Sequence, residues 1–166
     1  MAHLQAGIRS RGDLAFDPAQ LISAVNDVFW RSSPTEQFAT VFYGVYSAAS
    51  GTLIYVNAGH SAPVLLRASG PYGTLESSGM PVGMFGAWHG EARTVQLEPG
   101  DKLAIISDGV TEAGSRENRD FGEIGVVSAL RRCARRTAAE TAYSILAEAS
   151  HLGADDDMTA VVLSVA

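Results

Sequence analysis

The chain has 166 residues, of which 46% are hydrophobic and 18% charged, enough to bury a real core and too apolar for a disordered segment. A formal net charge of -6 argues against a nucleic-acid partner, which needs a clustered basic face to neutralise phosphates. A single cysteine, Cys133, rules out an internal disulfide and a thiolate metal site and fits a cytoplasmic address. The N-terminus lacks a basic leader and a long apolar run, so neither a signal peptide nor a membrane association is expected.

Met1, Leu4 and Ile8 have helical spacing, which predicts a helix over residues 1 to about 10. A second helix is predicted from Pro18 to Trp30, with Asp17 as its N-cap and Leu21, Ile22, Val25, Val28 and Phe29 as its apolar face. Phe38 to Tyr46 and Leu53 to Val56 read as an antiparallel hairpin, being rich in β-branched and aromatic residues. Strands follow at Pro63 to Arg67 and Thr74 to Glu76, then a Gly- and Met-containing loop from Ser78 to Gly90 and a strand from Ala92 to Leu97. Five or six such strands in meander order predict an antiparallel sheet.

Leu103 to Ile106 is a short apolar run entered through the turn Glu98-Pro-Gly-Asp101, as expected of a strand buried on both faces. It stops at Asp108-Gly109. Two helices are predicted after it, from about Gly122 to Arg135 and from Ala138 to Ser150, the latter capped by Thr137 with Glu140 as capping-box partner. Arg131, Arg132, Arg135 and Arg136 are expected to form a solvated face. The chain closes with Asp155-Asp156-Asp157-Met-Thr159 and an apolar strand, Ala160 to Val165. The fold class is α+β, in one domain covering 1-166.

Two acidic clusters at strand ends point to one shared centre. Carboxylates without His or Cys beside them make a hard-oxygen site suited to Mg2+ or Mn2+ in octahedral geometry. In a two-metal arrangement such ions activate water and clamp a phosphoryl group for displacement, so no catalytic side chain is required beyond metal-bound water. By residue type alone, an acidic pair serves equally as a calcium site or a solvated turn, and Asp108 equally as an ordinary turn residue.

Seven stretches occur in the order of one known family: Phe38-Ala-Thr-Val-Phe-Tyr-Gly44, Tyr55-Val-Asn-Ala-Gly-His60-Ser-Ala-Pro63, Gly79-Met-Pro-Val-Gly83, Leu97-Glu-Pro-Gly-Asp101, Ser107-Asp-Gly-Val-Thr-Glu112, Phe121-Gly122 and Asp156-Asp-Met-Thr159. From Met1 to Val165 the chain thus resembles the SpoIIE/RsbU branch of the PPM (PP2C-like) bacterial serine phosphatases. The resemblance implies a PP2C-like sandwich of antiparallel sheets flanked by helices. It also implies metal-dependent hydrolysis of phosphoserine or phosphothreonine, typically on a phosphorylated STAS-type anti-anti-sigma protein in sigma-factor regulation. By position, Asp108 and Asp156 match metal ligands, while Gly109 and Asp157 match metal-adjacent positions, with Asp155 solvated. Asn57, Gly59 and His60 match a structural signature.

Two family segments have no counterpart: the Gly-Asp-x-x-Asp motif, whose first Asp bridges the metals, and the Asp-x-x-Gly-His-Gly motif. Met1 aligns within the first helix after them, so the domain is expected to be incomplete at its N-terminus. Gly12-Asp13-Leu-Ala-Phe-Asp17 has one residue too many between its carboxylates to replace the first motif. With ligands missing, the isolated chain is expected to hold fewer metals than two, or none, and to be a weak or inactive phosphatase. The alternative is a noncatalytic interaction or dimerisation module, a pseudophosphatase remnant pairing as a homodimer through residues 1-30.

Overall fold

In a computed structural model, the described residues are 2–10, 17–32, 37–115, 119–153 and 156–166. Among them are five helices and seven strands, divided between two compact units that interleave along the chain. No helix among the described residues is long and apolar enough to cross a membrane.

The first unit takes Met1–His60 and Glu76–Leu97. It contains α1 (Ala2–Ser10), α2 (Pro18–Ser32), β1 (Val41–Ser47), β2 (Thr52–Ala58) and β5 (Arg93–Gln96). Asp17 caps α2 as expected: its Oδ1 accepts from the Gln20 amide at 3.0 Å, satisfying a donor left open by the first helical turn. Leu21, Ile22, Val25 and Phe29 then pack with Val41, Val56, Ala58 and Val82. Val28 departs from its predicted place on that face and is 36% exposed, because it lies at the edge of the helical arc. Asn26 is buried instead, donating through Nδ2 to the Phe85 carbonyl and accepting through Oδ1 from the Gly83 amide, so its polarity is satisfied.

The second unit takes Ser61–Leu75 and Glu98–Ala166. It contains β3 (Val64–Leu66), β4 (Tyr72–Thr74), β6 (Lys102–Ile106), α3 (Asp108–Thr111), α4 (Gly122–Arg132), α5 (Ala138–His151) and β7 (Ala160–Ser164). The register sets Val64, Ala104 and Val162 side by side, so one face of this sheet carries Val64, Leu66, Ala104 and Ile106. That face packs with Val126, Val127, Leu130 and Ile145 of the two long helices. Leu65 and Leu103, which point the other way, are buried too, as the apolar run predicted.

The meander is corrected. The strands form two antiparallel sheets, ordered β1-β2-β5 and β4-β3-β6-β7. β5 returns to pair with β2, whereas β6 lies between β3 and β7, as suits a strand apolar on both faces. The strand predicted at Thr74 to Glu76 begins two residues earlier. The turn closed by Gly70 N–H to the Arg67 carbonyl is tight enough that pairing resumes at once, Leu66 opposite Tyr72. α4 ends at Arg132, three residues short of expectation, and Cys133 is buried in the turn that follows. Arg131, Arg132, Arg135 and Arg136 are exposed, with Arg132 paired to Glu148.

Thr137 caps α5 in the predicted box: its Oγ1 accepts from the Glu140 amide at 3.2 Å, and the Glu140 carboxylate accepts from the Thr137 amide at 2.9 Å. Thr137→Ala is expected to cost about 1 kcal/mol, read as a lower urea midpoint at unchanged slope. An unchanged midpoint would show the cap to be idle.

Candidate metal centre

β6 and β7 are neighbours, and the residues just past β6 meet those just before β7. Ser107 ties the two chain segments together. Its amide donates to the Thr159 carbonyl at 3.0 Å, its hydroxyl donates to the Asp157 carbonyl at 3.2 Å, and the same oxygen accepts from the Thr159 amide at 2.9 Å. Beyond this clamp the chain turns into α3, whose four residues start at Asp108. Asp108 is exposed, and its Oδ1 accepts from the Gly109 amide at 3.0 Å. Asp156, also exposed, accepts through Oδ1 from the Asp157 amide at 2.7 Å.

Gly109 is where the segments come closest. A Cβ built on it would lie 2.6 Å from the Asp157 carbonyl oxygen and 3.3 Å from the Asp156 carbonyl carbon. Its φ is not in the left-handed region, so the requirement for glycine here is one of space. Beside it is a pocket of about 60 Å³ lined by Gly109, Glu112, Ser115 and Asp156, room for a few water-sized groups.

The structure therefore brings Asp108, Gly109, Asp156 and Asp157 into one neighbourhood. Asp155 and Asp13 lie outside the described residues. Asn57, Gly59 and His60 belong to the first unit, where they build a hydrogen-bonded turn. Asn57 is fully buried, its Oδ1 accepts from the His60 amide at 2.8 Å, and its carbonyl accepts from the Ser78 amide at 2.9 Å. Gly59 has φ 76°, and a Cβ there would meet Pro81 at 2.6 Å. Sequence reasoning missed Ser107, Glu112 and Ser115. For Ser107 the available signal was a hydroxyl next to a carboxylate at a strand end; Glu112 lies four residues from Asp108, one helical turn along.

The donor chemistry fits a hard divalent cation in kind, because the Glu112 and Asp156 carboxylates and the Ser115 hydroxyl belong to the lining and, among the described residues, no thiolate or imidazole does; Asp108 stands beside the pocket, next to Gly109. Oδ2 of Asp108 and of Asp156 takes no part in the two turn hydrogen bonds. The number of donors falls short of a closed protein cage: among the described residues, no group of three or more His, Cys, Asp or Glu is placed to hold an ion. Water would have to supply the rest of an octahedral shell.

A second polar cluster, also missed from sequence, lies at the start of β6. Asp101 is 1% exposed and accepts from the Arg67 guanidinium at 2.7 Å, the Ala68 amide at 2.9 Å and the Glu98 amide at 3.0 Å. Burial pushes its carboxyl up, but these three donors outweigh it and hold the pKa below the usual carboxylate value.

Residues 1–166 match the profile of the family described as Stage II sporulation protein E (SpoIIE). The chain is 26% identical over 113 residues to phosphoserine phosphatase RsbU of Bacillus subtilis, a match covering 68% of this chain and 34% of RsbU. It thus spans about a third of that relative's length. Among solved structures, the SiaA-PP2C domain of Pseudomonas aeruginosa shares its fold with a TM-score of 0.76 at 20% identity, over 98% of this chain and 65% of that one. The catalytic domain of the serine threonine protein phosphatase PstP, solved with 2 manganese ions, gives a TM-score of 0.73 at 17% identity, over 97% and 78%. The antiparallel sheets and flanking helices are those of the PP2C-like fold, and since one family's pattern runs through both units, the chain belongs to the SpoIIE family.

Proposed function

We propose that this chain is the phosphatase-type domain of a metal-dependent protein serine/threonine phosphatase of the SpoIIE/RsbU kind. Its substrate in this reading is a phosphorylated STAS-type anti-anti-sigma protein in a cytoplasmic partner-switching pathway. The observation that carries the proposal is the close approach of Gly109 to the backbone carbonyl groups of Asp156 and Asp157, which gathers two carboxylate-bearing segments at one end of a sheet. Asp108 and Asp156 are assigned as ligands of Mn2+ or Mg2+. Their exposure leaves room for a phosphoprotein to approach, and their turn hydrogen bonds hold each carboxylate in place. When bound, the ion would supply charge neutralisation and water activation for phosphoester hydrolysis. Gly109 keeps the two segments in contact, and Asp157 supports the second ligand through its amide.

This 166-residue sequence contains no Gly-Asp-x-x-Asp motif. Two carboxylates leave a pair of divalent ions under-compensated, so slow turnover by this chain alone is part of the proposal. The test is release of phosphate from a phosphoserine-bearing STAS protein, with manganese, magnesium or EDTA present. Slow release that needs manganese or magnesium and stops in EDTA is expected. Metal-independent release, or none under any condition while a thermal shift with manganese is also missing, would overturn the assignment.

One observation favours a second reading, an interaction module working through residues 1-30. α2 leaves Trp30 48% exposed and Val28 36% exposed, and Phe85, 49% exposed, is in the same unit. Light scattering that finds a dimer, converted to monomer by Trp30→Glu, would support it. A monomer at every concentration would remove it.

A further inference from the structure

We propose that the second unit holds a pocket for a small phosphate-bearing molecule, formed at the opposite end of β6 from the acidic residues. The pocket has a volume of about 340 Å³, within the range of small-ligand sites. Since β6 is five residues long, its two ends are roughly 13 Å apart at the usual rise per residue. None of the residues around the acidic pocket takes part in lining this one.

Its chemistry is cationic. Arg67, Lys102 and Arg131 line it, and no carboxylate does among the described residues. Lys102 is the paired neighbour of Leu66 across the β3–β6 ladder and is only 4% exposed. Its ammonium donates to the Arg136 carbonyl at 2.7 Å and to Thr141 Oγ1 at 3.0 Å, which uses two of its three hydrogens. Burial holds its pKa below the ordinary lysine value although the Glu140 carboxylate offsets part of that cost, and an anion alongside would relieve more of it. Arg131, in the last turn of α4, reaches the Gly70 carbonyl at 3.3 Å, which places it on the turn that forms one wall.

Asp101 neutralises much of the Arg67 charge and Glu140 offsets part of that of Lys102, so the lining retains roughly one to two positive charges, enough to attract a phosphate monoester. The partial negative charge at the C-terminal end of α4 opposes an anion, but the basic side chains Arg131 and Arg132 of the last turn offset it. Leu66, Ala68 and Ala134 supply the apolar surface and, among the described residues, no aromatic ring lines the site, which suits a short aliphatic or sugar-sized body better than a nucleobase.

The proposal does not depend on phosphatase activity, and its test excludes the acidic site. Titration calorimetry on the full chain in EDTA would use glycerol 3-phosphate, inorganic phosphate and succinate as probes. Glycerol 3-phosphate is expected to bind saturably, inorganic phosphate more weakly, and succinate about tenfold more weakly than glycerol 3-phosphate. Arg131→Glu, at an exposed position, is expected to weaken glycerol 3-phosphate about tenfold or more, and Ala134→Trp to do so by filling the pocket at unchanged charge. Asp156→Asn is expected to leave binding as it is. Circular dichroism confirms that each variant is folded. Absence of saturable heat with any probe, or binding untouched by both Arg131→Glu and Ala134→Trp, would overturn the site. Succinate binding as tightly as glycerol 3-phosphate would overturn the phosphate assignment.

Discussion

Replacing Gly109 with alanine is expected to destabilise the chain by about 2 kcal/mol, and with valine by more, because the added carbon meets a backbone carbonyl that cannot rotate aside. At 2.6 Å from the Asp157 oxygen, the new methyl forces either α3 or the segment before β7 to move. Ser107 resists that movement, since three hydrogen bonds hold it to Asp157 and Thr159. For a chain of this size the loss corresponds to a drop in melting temperature of roughly 4–8 °C. The same displacement separates Asp108 from Asp156, so the thermal stabilisation by manganese that the proposed site predicts for the parent chain, about 2.7 kcal/mol at a hundredfold excess over Kd, is expected to be absent from the variant. Calorimetric melting with and without manganese reads both effects. An alanine variant that melts like the parent would show that the close approach does not exist in solution. One that melts lower yet keeps the full manganese shift would detach the metal from these two carboxylates.

How far such a site can be read from sequence depends on how local its signals are. Asp17 and the Thr137–Glu140 box were legible because a cap is a short-range pattern, and the structure satisfies both with the expected amide donors. The buried strand ending near Asp108 was legible for the same reason, as four apolar residues between turn signals. Strand partnering was not. Nothing near Arg93–Gln96 announces that it returns to β2, since the choice is made by contacts some forty residues away. The family resemblance carried the two-sheet expectation that local pattern did not.

Ser107 and Asp101 show the same limit at the level of single side chains. In sequence, Ser107 is a small polar residue beside a carboxylate, and only the β6–β7 pairing turns its hydroxyl into a clamp on the opposite segment. Asp101 reads as the last residue of a Pro-Gly-Asp turn, a place where carboxylates are usually solvated. Its burial follows from Arg67, which sits one residue past β3 and reaches the turn only because β3 pairs with β6. Both residues are organised by a ladder between strands distant in sequence, and neither position has a local pattern that would reveal it.

Asp101→Asn tests that second cluster, with an expected loss of about 3 kcal/mol at neutral pH. In the parent, Oδ2 accepts from Arg67 and from the Glu98 amide while Oδ1 accepts from the Ala68 amide, so every neighbour is a donor. An asparagine turns an NH2 group toward one of these sides whichever way it is flipped, and it leaves the Arg67 charge without its counterion. The damage extends along the ladder, because the Asp101 carbonyl also accepts from the Val165 amide just past β7. The loss has a defined pH dependence. The folded pKa of Asp101 lies below the unfolded value, so at mildly acidic pH the unfolded chain takes up the proton more readily than the folded one. The stability that the carboxylate supplies is thus fully present above its unfolded pKa, about 3.9, and drains away as pH falls through the lower folded value. Urea midpoints for parent and variant are expected to differ most at neutral pH and to converge below about pH 4. Other carboxylates titrate in both proteins and cancel in the difference. A gap that stays constant from neutral to strongly acidic pH would mean that the charge of Asp101 contributes nothing and that its role is one of shape alone.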